Sequence, residues 1–304
     1  MRTAFAQTLI ELAARDDRIV LLTGDLGFSV LENFAERFPR RFFNVGVAEA
    51  NMLGLATGLA KQGFIPYCYS IATFASMRGY EALRNGAVLH HLTVRIIGIG
   101  GGFAYGHAGP THWALEDYAI MRAQPGMTVI VPADPAQTAN AIRSTLEHPG
   151  PIYFRIGKGG DAAVPGLDGL FCLGGVNVVR EGKDLALIAT GGISTEAGTA
   201  ADLLMANGIE TSIIVAATLS PAPTAELSAL LSRFTFVATI EEHYLVGGLG
   251  SLVAEVIAER GLRCRLVRCG IKRLPDALGS QQFLRAHCGL TAAGIANTVK
   301  SALA

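Results

Sequence analysis

Charge is scarce in this sequence. Asp, Glu, Lys and Arg make up 16% of its 304 residues, and 25 basic side chains balance 25 acidic ones. Such a neutral chain carries no electrostatic footprint for nucleic acid or for an anionic membrane surface. Long apolar runs are missing too. The longest are strand-length and broken by Gly, Asp or Thr, so no transmembrane helix is expected. The five cysteines, Cys68, Cys172, Cys264, Cys269 and Cys288, are odd in number and show no C-x-x-C spacing. Reduced thiols in a cytoplasmic protein are the simplest account. The opening residues, Met1 to Ile10, run into Glu11 and Arg15-Asp16-Asp17 and read as an amphipathic helix rather than a signal peptide. Two nucleotide fingerprints fail as well. The loop from Gly98 has Phe103 where GxGxxG needs its third glycine, and no GxxxxGK[ST] surrounds Gly157-Lys-Gly-Gly.

What is present is apolar bulk. Hydrophobic residues make up 50% of the chain, which suits a large α/β core, or a chain that gives up further surface to a partner. Strand-like runs over 18–23, 65–70, 94–99, 128–132 and 151–156 alternate with helical patterns over 48–61, 73–88, 114–123 and 133–147. This is βαβ alternation with buried parallel strands. A Gly/Pro cluster, from Gly157 to Asp161 and from Val164 to Gly169, marks a linker. A second alternation follows, with strands over 176–180, 185–189, 210–215, 236–241 and 263–267 and helices over 194–206, 221–232, 247–260 and 290–303. The expected fold class is α/β, with two doubly wound domains over residues 1–165 and 170–304.

Three segments carry chemistry. Arg41-Phe-Phe-Asn-Val-Gly-Val-Ala-Glu49 reads as a short strand and a tight turn, with Glu49 where a helix begins. Met52, Leu53, Leu55, Ala56, Leu59 and Ala60 make that helix nearly all apolar, so it is expected to be buried. A lone acid beside a buried helix is costly unless something pairs with it, which makes Glu49 a site candidate. The helix dipole also favours an acid there without any chemistry. His107-Ala-Gly-Pro-Thr-His112 lies just past a strand's C-terminal end, where open α/β sheets place ligands. A metal would need further ligands that are not local, and a capping His112 with a solvated His107 fits equally. Phe74 opens the next helix and reads as core or as the wall of a pocket.

In this order the pieces resemble the transketolase family, and more narrowly the separate C-terminal subunit of split transketolases. Val20-Leu-Leu-Thr-Gly-Asp25-Leu-Gly-Phe-Ser29 resembles the family's first strand and loop. Phe43-Asn-Val-Gly-Val-Ala-Glu49 is similar to its glutamate motif, and Thr73-Phe-Ala-Ser-Met-Arg78 to its aromatic helix start. Gly109-Pro-Thr-His112 followed by Leu115-Glu-Asp117 resembles the Gly-Pro-Thr-His loop, and Ile130-Val-Pro-Ala-Asp134 the strand that closes the domain. Ile240-Glu-Glu-His243, Gly247-Gly-Leu-Gly-Ser251 and Gly289-Leu-Thr-Ala-Ala-Gly294 look like the family's C-terminal domain.

The resemblance implies thiamine diphosphate, with the protein supplying geometry and electrostatics. By carry-over, Glu49 would hydrogen-bond the pyrimidine ring, Phe74 would stack on it, and Asp25 and Met77 would lie beside the cofactor. His112 would face the reacting centre. Arg155 would bind a substrate phosphate with Ser29 assisting, and His107 would touch substrate. No Gly-Asp-Gly occurs, so the diphosphate and Mg2+ are expected to be held mainly by an N-terminal transketolase-like subunit in an α2β2 assembly. The resemblance implies no metal ligand in this chain. Two departures point to an altered sugar substrate. His107-Ala108 stands where the family has Glu-Asp, and Gly100 where it has a histidine. The alternatives are a 2-oxo-acid decarboxylating β-type subunit, a deoxyxylulose-phosphate-synthase-like enzyme, and a non-catalytic partner that kept the fold.

Overall fold

A computed structural model describes residues 1–304. The strands of the first half are β1 (Ile19–Thr23), β2 (Phe42–Asn44), β3 (Ile65–Ile71), β4 (Arg95–Ile99), β5 (Thr128–Ile130) and β6 (Ile152–Ile156). Those of the second half are β7 (Asn177–Arg180), β8 (Leu185–Ala189), β9 (Thr211–Val215), β10 (Thr218–Ser220), β11 (Phe236–Tyr244) and β12 (Arg265–Ile271). β1, β4, β6, β8 and β9 are buried along their whole length. Such continuous apolar runs suit parallel strands covered by helices on both faces.

The chain forms a seven-stranded sheet ordered β10-β5-β6-β4-β3-β1-β2 and a five-stranded sheet ordered β12-β11-β8-β9-β7. β1 to β6 pair in parallel. Sequence reading missed β10, which crosses from the second half and pairs antiparallel with β5. Its Ser220 hydroxyl donates to the Met127 carbonyl at 2.8 Å. One hydrophobic cluster runs through both halves, joining Val20, Leu22 and Ile96 to Ala186, Ile188 and Leu252. The all-parallel expectation also fails at the edge of the second sheet, where β7 runs antiparallel to β9.

Other differences have local causes. The helix expected over 73–88 breaks into Ala72–Met77, Tyr80–Leu83 and a π turn over Arg84–Val88. Gly79, at the break, lies against the preceding helix: a Cβ there would stand 2.4 Å from Leu53 Cδ1 and 3.0 Å from the Glu49 carbonyl. The helix expected over 114–123 shrinks to Asp117–Arg122, because Ala114 bridges to Gly102 through two backbone hydrogen bonds of 2.9 and 3.1 Å. Helix Glu49–Lys61 is not buried all round: Met52, Leu53 and Ala56 face the core, while Gly54, Leu55 and Gly58 are exposed.

Because β1, β3, β4 and β6 are parallel, the segments that follow them leave one edge of the sheet. These are the loop 24–31, the helix opened by Ala72, the loop 100–116 and the turn 157–160. In open α/β sheets that edge is where ligands bind.

Candidate active site

Glu49 sits in the first turn of its helix and is 2% exposed. Oε1 accepts a hydrogen bond from the Ser70 hydroxyl at 2.9 Å, at the end of β3. Oε2 accepts one from Arg78 Nη1 at 3.1 Å. The β1 turn approaches closely, since a Cβ on Gly24 would lie 3.3 Å from Oε1. A buried carboxylate needs such partners, because an unpaired charge out of water is far costlier than a paired one.

Arg78 does a second thing. Its guanidinium carbon stands 3.8 Å from the centroid of the Phe74 ring. A planar cation is thus stacked on Phe74 and bonded to Glu49 at once. The Phe74 ring meets the His112 imidazole edge-on, with centroids 5.1 Å apart. His112 Nδ1 lies 3.0 Å from the Thr111 hydroxyl. Beyond it comes Tyr105, 6.3 Å from His112, with Lys158 Nζ 4.5 Å from the Tyr105 ring centroid. Glu49, Arg78, Phe74, His112, Tyr105 and Lys158 form one line of contacts along the sheet edge.

The other expected residues lie as follows. Asp25, at φ 58°, accepts from Asn44 Nδ2 at 2.9 Å, while Asn44 Oδ1 accepts from the Asp25 and Gly46 amides. It is exposed and adjoins Gly24. Met77 is half-buried, and its sulfur accepts from the Thr73 hydroxyl at 3.7 Å. Ser29, at φ 62°, is exposed on the β1 loop, and its amide donates to Glu32 at 2.6 Å. His107 is exposed in a 3-10 turn over Gly106–Ala108. That turn rests on the second half, since a Cβ on Gly106 would lie 2.3 Å from the Gly279 carbonyl.

Arg155 is anchored inside the fold. It is 7% exposed. Its Nη2 donates to the Ala114 and Glu242 carbonyls, each at 2.8 Å, and its Nε lies 3.2 Å from Asp117 Oδ2. The guanidinium also covers the Tyr118 ring at 4.7 Å. This ties the halves together at the wall of a cleft that Arg155 lines with Gly101 and Lys158. Asp117 is fully buried and also accepts from the Tyr153 hydroxyl at 2.7 Å. Burial pushes its carboxyl up, and Arg155 pulls it back. Across the domain boundary, Tyr118 donates to Glu241 at 2.9 Å and stacks on His243 with centroids 3.8 Å apart. Burial pushes the His243 imidazole down to about 3, so it is neutral in the fold. Glu242 is held by Arg285 at 2.6 Å and accepts from the Phe103 amide at 2.8 Å.

Sequence reading missed Arg78, Tyr105 and Lys158. Arg78 had a signal: it lies four residues after Phe74, on the same helix face.

Residues 1–160 match the family model for the transketolase pyrimidine binding domain, and residues 174–295 that for the transketolase C-terminal domain. The chain belongs to the transketolase family. It is 39% identical over 302 residues to a putative transketolase C-terminal section of Methanocaldococcus jannaschii, covering 98% of this chain and 95% of that protein. It is 36% identical to a 6-deoxy-6-sulfo-D-fructose transketolase subunit of a Clostridium species, covering 96% of this chain and 91% of that subunit. A solved split-gene transketolase, an inactive β4 tetramer, matches with TM-score 0.89 and 38% identity, covering 99% of this chain and 97% of that one. This transketolase chain is therefore a transferase subunit of the split kind.

Two outcomes are expected. Arg155→Met leaves Asp117 buried without its cation, and denaturant unfolding is expected to show a loss of about 3–5 kcal/mol. A raised KM at unchanged stability would instead make Arg155 a substrate ligand. His243 must take up a proton on unfolding at low pH, so the stability it contributes is lost as pH falls from its ordinary 6.5 towards 3. In His243→Phe, the acid limb of a stability-versus-pH profile is expected to flatten by up to about 1.4 kcal/mol per pH unit.

Proposed function

We propose that this transketolase subunit supplies the pyrimidine half of a thiamine diphosphate site. The complete enzyme moves a two-carbon ketol unit between sugars once a second polypeptide has brought the diphosphate half. The observation that carries the reading is the slot between Glu49 and Phe74: a buried carboxylate on one side, a half-buried aromatic face on the other, and a stacked planar cation joining them. A slot that accepts the Arg78 guanidinium suits an aminopyrimidine, which is also flat and hydrogen-bonding. When bound, thiamine diphosphate supplies the nucleophilic carbon for attack on a ketose carbonyl. Glu49 would hold a proton on the pyrimidine ring, shielded from water by Ser70 and the Gly24 turn. Phe74 would stack on the ring, with Met77 and Asp25 beside it. His112, fixed against Phe74, would polarise a substrate carbonyl or carry a proton. Arg78 would have to leave the slot.

The diphosphate half lies elsewhere in this reading. No group of three or more His, Cys, Asp or Glu side chains in the chain could hold a metal ion, and Gly-Asp-Gly is absent. Mg2+ and the diphosphate fall to an N-terminal-type subunit in an α2β2 assembly. Exposed Val47 (70%) and Leu55 (42%), at and beside the helix of Glu49, suit burial there. The substrate is a modified or phosphorylated sugar. Gly100 and Ala108 remove polar contacts, the 36% identical relative is named for a sulfosugar, and lost hydrogen-bond partners shift selectivity strongly. His107 and Ser29 stand at the rim to meet it. No helix is long and apolar enough to cross a membrane, and the unpaired cysteines suit the reducing cytoplasm.

Mixed with its partner subunit, coenzyme and Mg2+, the wild-type chain is expected to exchange the thiazolium C2 proton for deuterium, followed by NMR. Glu49→Gln is expected to slow exchange by about 10²–10⁴-fold, and normal exchange in the variant removes Glu49 from this role. Arg78 is 45% exposed, so its competition for the slot is modest. Arg78→Ala is expected to tighten coenzyme binding by about two- to fivefold in calorimetry, and weaker binding would make Arg78 a holder of the ring instead.

A further inference from the structure

We propose that Tyr105, with Lys158 laid against its ring, determines which ketose this site accepts, and that the pair reads the tetrahedral oxyanion at the far end of a phosphorylated or sulfonated sugar. The inference rests on the function proposed above and names its substrate class.

The argument starts at Gly100, just past β4. Its φ is +72°, and a Cβ there would stand 2.2 Å from Tyr105 Cε2. The Tyr105 ring therefore fills the space that a side chain at position 100 would need. Position 100 cannot change alone: any larger residue there meets both a left-handed backbone and the ring. The Tyr105 ring lies 6.3 Å from His112 and 4.5 Å from Lys158 Nζ. It is half-buried, and burial pushes its phenol above the usual range. The phenol thus stays protonated at neutral pH and can donate a hydrogen bond to substrate.

Lys158 reaches Tyr105 from the turn after β6, at the same sheet edge. A cation within about 6 Å of an aromatic centroid is attracted by the ring, so the ammonium is held beside the ring rather than swinging freely. Its charge is unanswered. Asp161, three residues on, is held by the Met1 amino group at 2.8 Å. Glu242, across the cleft, is held by Arg285 and Gln281. Arg2 stands near: its Nε would be 3.9 Å from a Cβ on Gly159. Neither Lys158 nor Arg2 has an ion-pair partner. Two uncompensated cations beside a phenol, next to His112, make a receptor for an anionic group. A lysine ammonium is a compact point charge and suits a tetrahedral oxyanion without a fixed fork geometry. Arg155 lines the same cleft, with its Nη2 already engaged by two carbonyls and its Nε beside Asp117.

The test uses the two-subunit holoenzyme and three donors that differ only at carbon 6: D-fructose 6-phosphate, 6-deoxy-6-sulfo-D-fructose and D-fructose. Wild type, Lys158→Met and Tyr105→Phe are compared by kcat/KM, and by calorimetric Kd where turnover is slow. In Lys158→Met, the preference for an anionic donor over D-fructose is expected to fall about tenfold, carried by KM or Kd rather than kcat. Loss confined to the phosphate, to the sulfonate, or shared by both assigns the anion, and each supports the proposal. Tyr105→Phe is expected to lower kcat/KM for the anionic donors by about three- to tenfold. Equal effects on all three donors, no effect, or no binding of either anion overturns the proposal. If the wild-type complex exchanges the coenzyme C2 proton while Lys158→Met keeps its preference, this inference alone falls. If the wild-type complex does not exchange, the function beneath it falls as well.

Discussion

A carboxylate that is 2% exposed, at the head of a helix, needs compensation from more than one strand. The parallel sheet provides it. β1 ends in the turn whose Gly24 closes over Glu49, β3 ends in Ser70, and the next helix carries Phe74 and Arg78. None of these groups is local to Glu49 in sequence. They meet because adjacent parallel strands release their chains at one edge. Glu49 can then remain out of water while its second oxygen faces a cation that is itself 45% exposed. Glu49 is thus paired on one side by a buried hydroxyl and on the other by a half-open cation.

Deeper in the molecule the same problem is solved without an opening. Asp117 and Arg155 lie 3.2 Å apart, Arg155 donates to two backbone carbonyls, and Tyr153 donates to Asp117, while Asp117 Oδ1 is left without a hydrogen-bond partner. Breaking such a pair costs far more than forming it gains, so the cluster fixes the relation of the two halves rather than adding much net stability. Glu241 extends it by accepting the amides of Leu249 and Gly250 at 2.8 Å, at the start of helix Leu249–Arg260. The sheet edge bearing Glu49, Phe74 and His112 is thereby referenced to the second domain.

Much of this was legible in the sequence. Apolar runs bounded by Gly and Asp marked the parallel strands, and Glu49 stood out as an acid facing an apolar helix. Arg155 carried a readable warning. An arginine inside the fully buried run Ile152-Tyr-Phe-Arg-Ile must find internal acceptors, as Arg95 does in β4, where it donates to the Gly150 and Thr145 carbonyls. β10 was not readable, because three residues, Thr-Leu-Ser, carry no period and their partners Ile130 and Val129 lie far back in the chain. The outward face of helix Glu49–Lys61 was hidden for another reason. Gly54, Leu55 and Gly58 look like core residues, and only the packing shows which side they take.

The borrowed strand has an evolutionary side. Thr218–Ser220 hydrogen-bonds along the edge of β5 and covers backbone that would otherwise lie open to other chains. A recombination breakpoint in the Gly/Pro linker would strip that edge from one fragment and leave the other with an orphaned strand. Lineages can swap or detach whatever pairs with this chain as a whole, but its two halves have to be inherited together.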